Sequence, residues 1–155
     1  AASADKKSGR ATKEGLVSSY IHAGSKIGVL IEVNCETDFV ANTDQFKGLV
    51  RDLAMQVAAS SPGWVKPEEV PEEVVKRERE ILAAQPDLQN KPQNVIEKIL
   101  EGRIKKFYSQ TCLNEQEFIK EPGKLVKDLI KDAIGQLGEN ISVRRFCRFE
   151  IGGGG

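Results

Sequence analysis

The sequence predicts an α+β fold: a small antiparallel sheet of about three strands packed against helices. Three observations carry this. Two β-rich runs joined by a glycine-containing turn open the ordered part of the chain. Segments of helical periodicity fill its middle. A final β-rich run stands where it can pair with the opening hairpin.

The first run is "LVSSYIH" and the second "KIGVLIEVN", joined by "AGS". Ile27, Val29, Ile31 and Val33 alternate onto one face, as in a half-buried strand. Gly24 and Ser25 supply the turn of a β-hairpin. Helical spacing then begins, with Asn42 as the expected cap and Gln45 reaching back to it. Phe46, Leu49, Val50, Leu53, Ala54, Val57 and Ala58 fall on one face, and "SSPG" at 60–63 ends the helix. After the connector "WVKPEEV", Pro71 opens a second helix whose charged centre, including the pair Lys76–Glu80, is expected to face solvent.

A third helix carries Val95, Ile96, Ile99, Leu100, Ile104, Phe107 and Tyr108 in register. Gly102 inside it suggests a close packing contact. "LNEQEFIKEPG" reads as irregular, with a short strand at most. A fourth helix aligns Leu125, Val126, Leu129, Ile130, Ala133, Ile134 and Leu137, with Gly138 at its C-terminal cap. In the closing run "ISVRRFCRFEI", strict alternation puts Ile141, Val143, Cys147, Phe149 and Ile151 on one face, interrupted by Arg145. Ser142, Arg144, Phe146, Arg148 and Glu150 take the other.

Residues 1–13 are small and polar, and are expected to be a flexible tail or remnant linker. Residues 14–152 form the core domain, and 153–155 a flexible glycine tail. With no initiator Met, the chain reads as a processed form or an excised fragment.

Composition bounds the function. The chain has 155 residues, 39% hydrophobic and 30% charged, as in a globular protein. Its 23 basic and 23 acidic residues cancel, so no general attraction to nucleic acid or an anionic membrane is indicated. No apolar run approaches the ~20 residues that span a bilayer. Cys35, Cys112 and Cys147 are odd in number and widely spaced, unlike a disulfide framework or a zinc site. The single histidine, His22, has no partner at catalytic spacing and reads as structural or exposed. Cys35 beside Glu36 lacks an evident base. No phosphate-binding glycine loop is present, and no metal-ligand spacing. "RRFCRF" interleaves arginines with phenylalanines, which allows base stacking on single-stranded RNA and equally an interface face of a sheet.

The corner "NCETDFVAN" between the second strand and the first helix stands apart, because it places Phe39 beside Asp38 in a polar turn. Two readings are open. Phe39 folds back to plug the core, with Thr37 or Asp38 capping a short helical turn. Alternatively it projects as an apolar anchor for a partner, with Asp38 fixing its presentation.

The segment "IGVLIEVNCETDFVANTDQF" strongly resembles the signature of elongation factor Ts, the nucleotide-exchange factor for elongation factor Tu. "GRATKEGLV", "VPEEVVKRERE", "KILEGRIKKF" and "GENISVRRFCRFEIG" are similar to the family in the same order, so the resemblance covers Gly9 to Gly152. It implies a factor that binds GDP-bound and nucleotide-free elongation factor Tu and promotes GDP release during translation elongation. It implies no covalent chemistry, no cofactor and no bound metal. In the family, the Asp-Phe of the TDFV motif inserts into the partner and disturbs its Mg²⁺ and phosphate site. By motif match these positions are Asp38 and Phe39, flanked by Thr37 and Val40.

The resemblance is to a short form. The family's N-terminal helical domain, second sheet subdomain and helical-hairpin insertion are expected to be missing, with reduced affinity as one consequence. Two short-form chains pair in the family, which makes Arg145, Cys147 and Phe149 candidate homodimer-interface positions. An intermolecular disulfide at Cys147 is disfavoured in a reducing compartment. The implied location is the bacterial cytoplasm, with a plastid stroma or other organelle matrix as the alternative. The competing function class is an RNA- or ribosome-associated α+β module without exchange activity.

Overall fold

The computed structural model describes residues 6–153. The outer parts of both expected tails, residues 1–5 and 154–155, lie outside them. Strands β1 (Glu14–Ile21), β2 (Ile27–Cys35) and β3 (Ser142–Glu150) form one antiparallel sheet in the order β1-β2-β3. The helices α1 (Asp38–Ala41), α2 (Asp44–Ser60), α3 (Glu72–Ala83), α4 (Gln93–Thr111) and α5 (Val126–Leu137) lie between β2 and β3 in the chain. The fold is therefore α+β, with a three-stranded sheet backed by helices on one face.

The hairpin closes through His22–Lys26, with Ser25 and Gly24 both at positive φ. Gly15 opens the sheet at φ 151°, where an added Cβ would lie 2.2 Å from the Val33 carbonyl oxygen. Only glycine allows that backbone approach. The alternation expected in β2 is present: Val29, Ile31, Val33 and Cys35 are buried. They meet Phe46, Leu49, Val50, Leu53, Ala54, Val57 and Ala58 of α2, all buried. From α5, Val126, Ile130, Ala133 and Ile134 complete the core. Fully burying a side chain such as Phe46 contributes roughly 1.5–3 kcal/mol.

Three expectations are corrected. Asn42 does not cap α2. It ends α1, and the Thr43 hydroxyl caps α2 by accepting from the Phe46 amide at 3.2 Å. Asp38–Ala41 is itself helical, so the break between helices moves on by one residue, and Gln45 bonds Gln136 instead of reaching back. Gly102 marks no close contact: an added Cβ there would meet nothing within 4 Å. Of the apolar face expected on α4, only Ile104 is buried, because α3 and α4 pack on each other outside the main core cluster.

The third correction concerns the closing strand. Val33 pairs with Val143 but Glu32 pairs with Arg145, leaving Arg144 as a β-bulge. One extra residue reverses the alternation. Ile141 and Val143 face the core before the bulge, and Phe146 and Arg148 after it. Arg145, Cys147 and Phe149 then turn outward, beside Glu32, Leu30 and Gly28. Arg148 is held at the covered face because its Nε and Nη2 donate to the Ala58 carbonyl oxygen at 3.1 and 3.0 Å. A carbonyl in the last turn of α2 lacks a helical partner, and a cation there suits the helix dipole.

Residues 8–10, within the expected N-terminal tail, carry defined contacts. Asn140 Nδ2 donates to the Ser8 and Arg10 carbonyl oxygens at 3.0 and 2.6 Å. At the other end, the Gly153 amide donates to the Glu150 carbonyl oxygen.

Candidate functional site

The corner after β2 is a single capped helical turn. Thr37 has extended backbone, and its Oγ1 accepts from the Val40 amide at 3.3 Å. The turn closes through Ala41 N to the Thr37 carbonyl and Asn42 N to the Asp38 carbonyl. Asn42 Nδ2 donates to that same Asp38 oxygen at 2.9 Å, and Thr43 Oγ1 to the Val40 oxygen at 2.7 Å. Capping from both sides holds a four-residue helix that would not persist alone.

In this turn Val40 and Ala41 point inward and are buried, while Asp38 and Phe39 point outward. Phe39 is 82% exposed. The core-plug reading is thus overturned for Phe39, and Val40 fills that place instead. Helical geometry gives the reason: with Val40 and Ala41 turned to the core, the two preceding residues fall on the opposite side.

A polar frame lies under the turn. Glu139, just beyond α5, accepts at Oε1 from the Glu36 amide (3.1 Å) and the Thr37 amide (3.0 Å). Its Oε2 accepts from the Thr37 hydroxyl at 2.6 Å. In return, Glu36 Oε2 accepts from the Asn140 amide at 2.6 Å, and Arg10 Nη1 stands 3.7 Å from it. The quoted stretch "GENISV" contains Glu139 and Asn140, but sequence reasoning assigned them no role. Their partners lie more than 100 positions away, and no local spacing reports such a contact.

Cys35 is buried beneath the turn, its thiol donating to the Thr37 carbonyl oxygen at 3.2 Å. Burial, with the Glu139 carboxylate adding, pushes this thiol up. A protonated, covered thiol is not a nucleophile. His22 lies in the exposed hairpin turn against the Tyr20 hydroxyl at 3.0 Å. Among the described residues, no group of three His, Cys, Asp or Glu side chains is placed to hold a metal. No described helix is long and apolar enough to cross a membrane.

The outer face of the sheet is a second feature. Across its strands run Val17–Glu32–Arg145, Ser19–Leu30–Cys147 and Ile21–Gly28–Phe149. Val17, Ile21, Leu30 and Phe149 are exposed large apolar residues, and Arg145 Nε donates to Glu32 Oε1 at 2.9 Å. "RRFCRF" is thereby divided: Phe146 packs against the core, Phe149 faces out, and Arg148 is engaged by α2.

The family model described as elongation factor TS matches residues 6–153. A relative named elongation factor Ts from Thermoanaerobacter sp. (strain X514) is 58% identical over 153 residues, covering 99% of this chain and 75% of the relative. Relatives of that name from Carboxydothermus hydrogenoformans and Geobacter sulfurreducens are each 57% identical over 99% of this chain, covering 70% and 71% of their own lengths.

Proposed function

The chain belongs to the elongation factor Ts family, and from that premise we propose that it opens the nucleotide site of elongation factor Tu with an Asp38–Phe39 wedge. Factors of this family exchange guanine nucleotide on elongation factor Tu and make or break no covalent bond. What supports the wedge is the presentation of Phe39. An aromatic side chain stands exposed on a turn capped at both ends, where aromatic residues serve as interface anchors. Asp38 shares its outward side, with Thr37 fixing the start of the turn and Val40 rooting it in the core.

The physics is differential binding. A side chain driven into a packed interior forces its neighbours to move. The wedge therefore binds best to the partner state whose phosphate and Mg²⁺ contacts are already displaced. That state holds GDP weakly, and by linkage GDP with Mg²⁺ weakens the wedge's binding by the same factor. The test is stopped-flow release of a fluorescent GDP analogue from elongation factor Tu. Wild type is expected to accelerate release strongly, and Phe39→Ala to lose at least ten-fold of that acceleration. Equal acceleration by both would exclude the wedge.

The outer sheet face supports a homodimer built on Arg145, Cys147 and Phe149, together with Val17, Ile21 and Leu30. An exposed three-strand surface with four large apolar side chains is suited to a self-complementary two-fold contact. Light scattering during gel filtration is expected to give a dimer mass at micromolar concentration, and Phe149→Glu a monomer. A wild-type monomer mass would exclude pairing. Bacterial relatives make the bacterial cytoplasm the proposed compartment. An RNA-binding role finds less support, since "RRFCRF" presents no continuous stack of aromatics on one face.

A further inference from the structure

We propose that Glu139 is a positioning residue for nucleotide exchange, acting through Thr37 to set the direction of Phe39; this rests on the wedge reading above. A wedge that displaces packed atoms must itself be held, because a turn that yields would relax instead of the partner. Asp38–Ala41 is too short to hold itself. Its anchor is Thr37, and Thr37 is fixed by one carboxylate.

The Thr37 hydroxyl has a single proton. Donating it to Glu139 Oε2 at 2.6 Å leaves the oxygen's lone pairs to accept from Val40 N, the cap of the turn. Glu139 Oε1 meanwhile takes the Glu36 and Thr37 amides, which stand beyond the last β1–β2 pair, Glu14–Cys35. All three donors converge on one carboxyl side chain, and hydrogen bonds to a carboxylate are the strong ones. The reverse bond, Asn140 N to Glu36 Oε2, ties the two loops together from the opposite side. Asn140 also holds the Ser8 and Arg10 carbonyls, so three separated segments meet beneath the wedge. Glu139 itself is set back from the exposed tip and needs no contact with the partner.

The test uses Glu139→Gln and Glu139→Ala, each alone and combined with Phe39→Ala. Glutamine keeps the volume of the side chain and an acceptor oxygen for the two amides, but sets its NH₂ against the Thr37 hydroxyl, which then accepts from it instead of donating to a carboxylate. At saturating factor, the maximal rate of GDP release is expected to fall on the order of tenfold in Glu139→Gln, the effect of one lost charge-assisted hydrogen bond, and at least as far in Glu139→Ala, which loses all three bonds. The half-saturating concentration should change less than threefold. In the Phe39→Ala background, the Glu139 changes are expected to cause no further drop, since both act through the same side chain.

A wild-type maximal rate in Glu139→Gln overturns the proposal. So does a tenfold drop that persists in the Phe39→Ala background, which would mark a general effect on the fold. Should Glu139→Ala fail to fold, Glu139→Gln decides alone. If Phe39→Ala by itself leaves release unchanged, the wedge reading fails and this proposal with it. If Phe39→Ala slows release and Glu139→Gln does not, only the role of Glu139 falls.

Discussion

The three cysteines show how one residue type takes different chemistry from its position. Cys35 and Cys112 are buried and Cys147 is exposed. Burial pushes both inner thiols up, with Glu139 adding at Cys35 and acidic neighbours such as Glu115 adding at Cys112, where a hydrogen bond to Thr111 opposes. Thiolate is the reactive form, so in the monomeric Phe149→Glu variant an aromatic disulfide reagent at neutral pH is expected to label one thiol quickly in the folded protein and three after denaturation. Two fast native thiols would contradict the burial of the inner pair. The sign for stability follows. A raised folded pKa means the native state keeps a proton that the unfolded chain surrenders in the ordinary thiol range. Stability is undiminished below that range and falls as pH rises through it. The position of Phe39 was harder to read from sequence. An aromatic residue in a polar turn fits a plug and an anchor equally, and the choice depends on the helical phase of Val40 and Ala41, which four residues do not reveal.

Among the elements, α2 was the most legible, because the seven apolar residues of its expected face keep helical spacing and all of them are buried. What the pattern missed is Gln56, only 1% exposed among them. Its Nε2 donates to Gln116 Oε1 (3.1 Å) and the Glu117 carbonyl (3.0 Å), and its Oε1 accepts from the Ile119 amide at 2.9 Å. One side chain thus fixes the irregular stretch that precedes α5. Gln56→Ala removes the partner of the Glu117 carbonyl and the Ile119 amide, while Gln116 Oε1 keeps its bond from Ser60 Oγ, and is expected to lower stability by about 1–3 kcal/mol, measured by denaturant unfolding. A change below about 0.5 kcal/mol would show that the loop finds other partners. The closing strand was legible as a strand but not in its facing. Arg145 stood out as a charge on an apolar face, and the bulge at Arg144 resolves that conflict. A bulge inserts a residue without altering composition, so alternation alone cannot place it. The helix α3 was legible from its opening proline and charged centre and α4 from its periodicity, and their apolar side chains are mostly half-buried because the pair packs outside the main core.

At the scale of the molecule, the sheet and the helices α2 and α5 share one buried core, and the turn carrying Phe39 sits where the end of β2 meets the start of β3. Composition and periodicity carried the α+β class this far without help. They did not reach function, since exchange uses no nucleophile, metal or cofactor that leaves a spacing in the sequence. Function became legible only through the family signature around Thr37–Val40. The central claim is that Phe39 makes the factor distinguish two states of elongation factor Tu, and calorimetry measures that distinction directly. Affinity would be determined for nucleotide-free and for GDP·Mg²⁺-bound elongation factor Tu, with wild type and with Phe39→Ala. The account requires wild type to prefer the nucleotide-free form, and Phe39→Ala to shrink that preference by tenfold or more, within the usual range of coupling between sites. An unchanged preference in Phe39→Ala would contradict it, because the discrimination would then arise elsewhere on the surface.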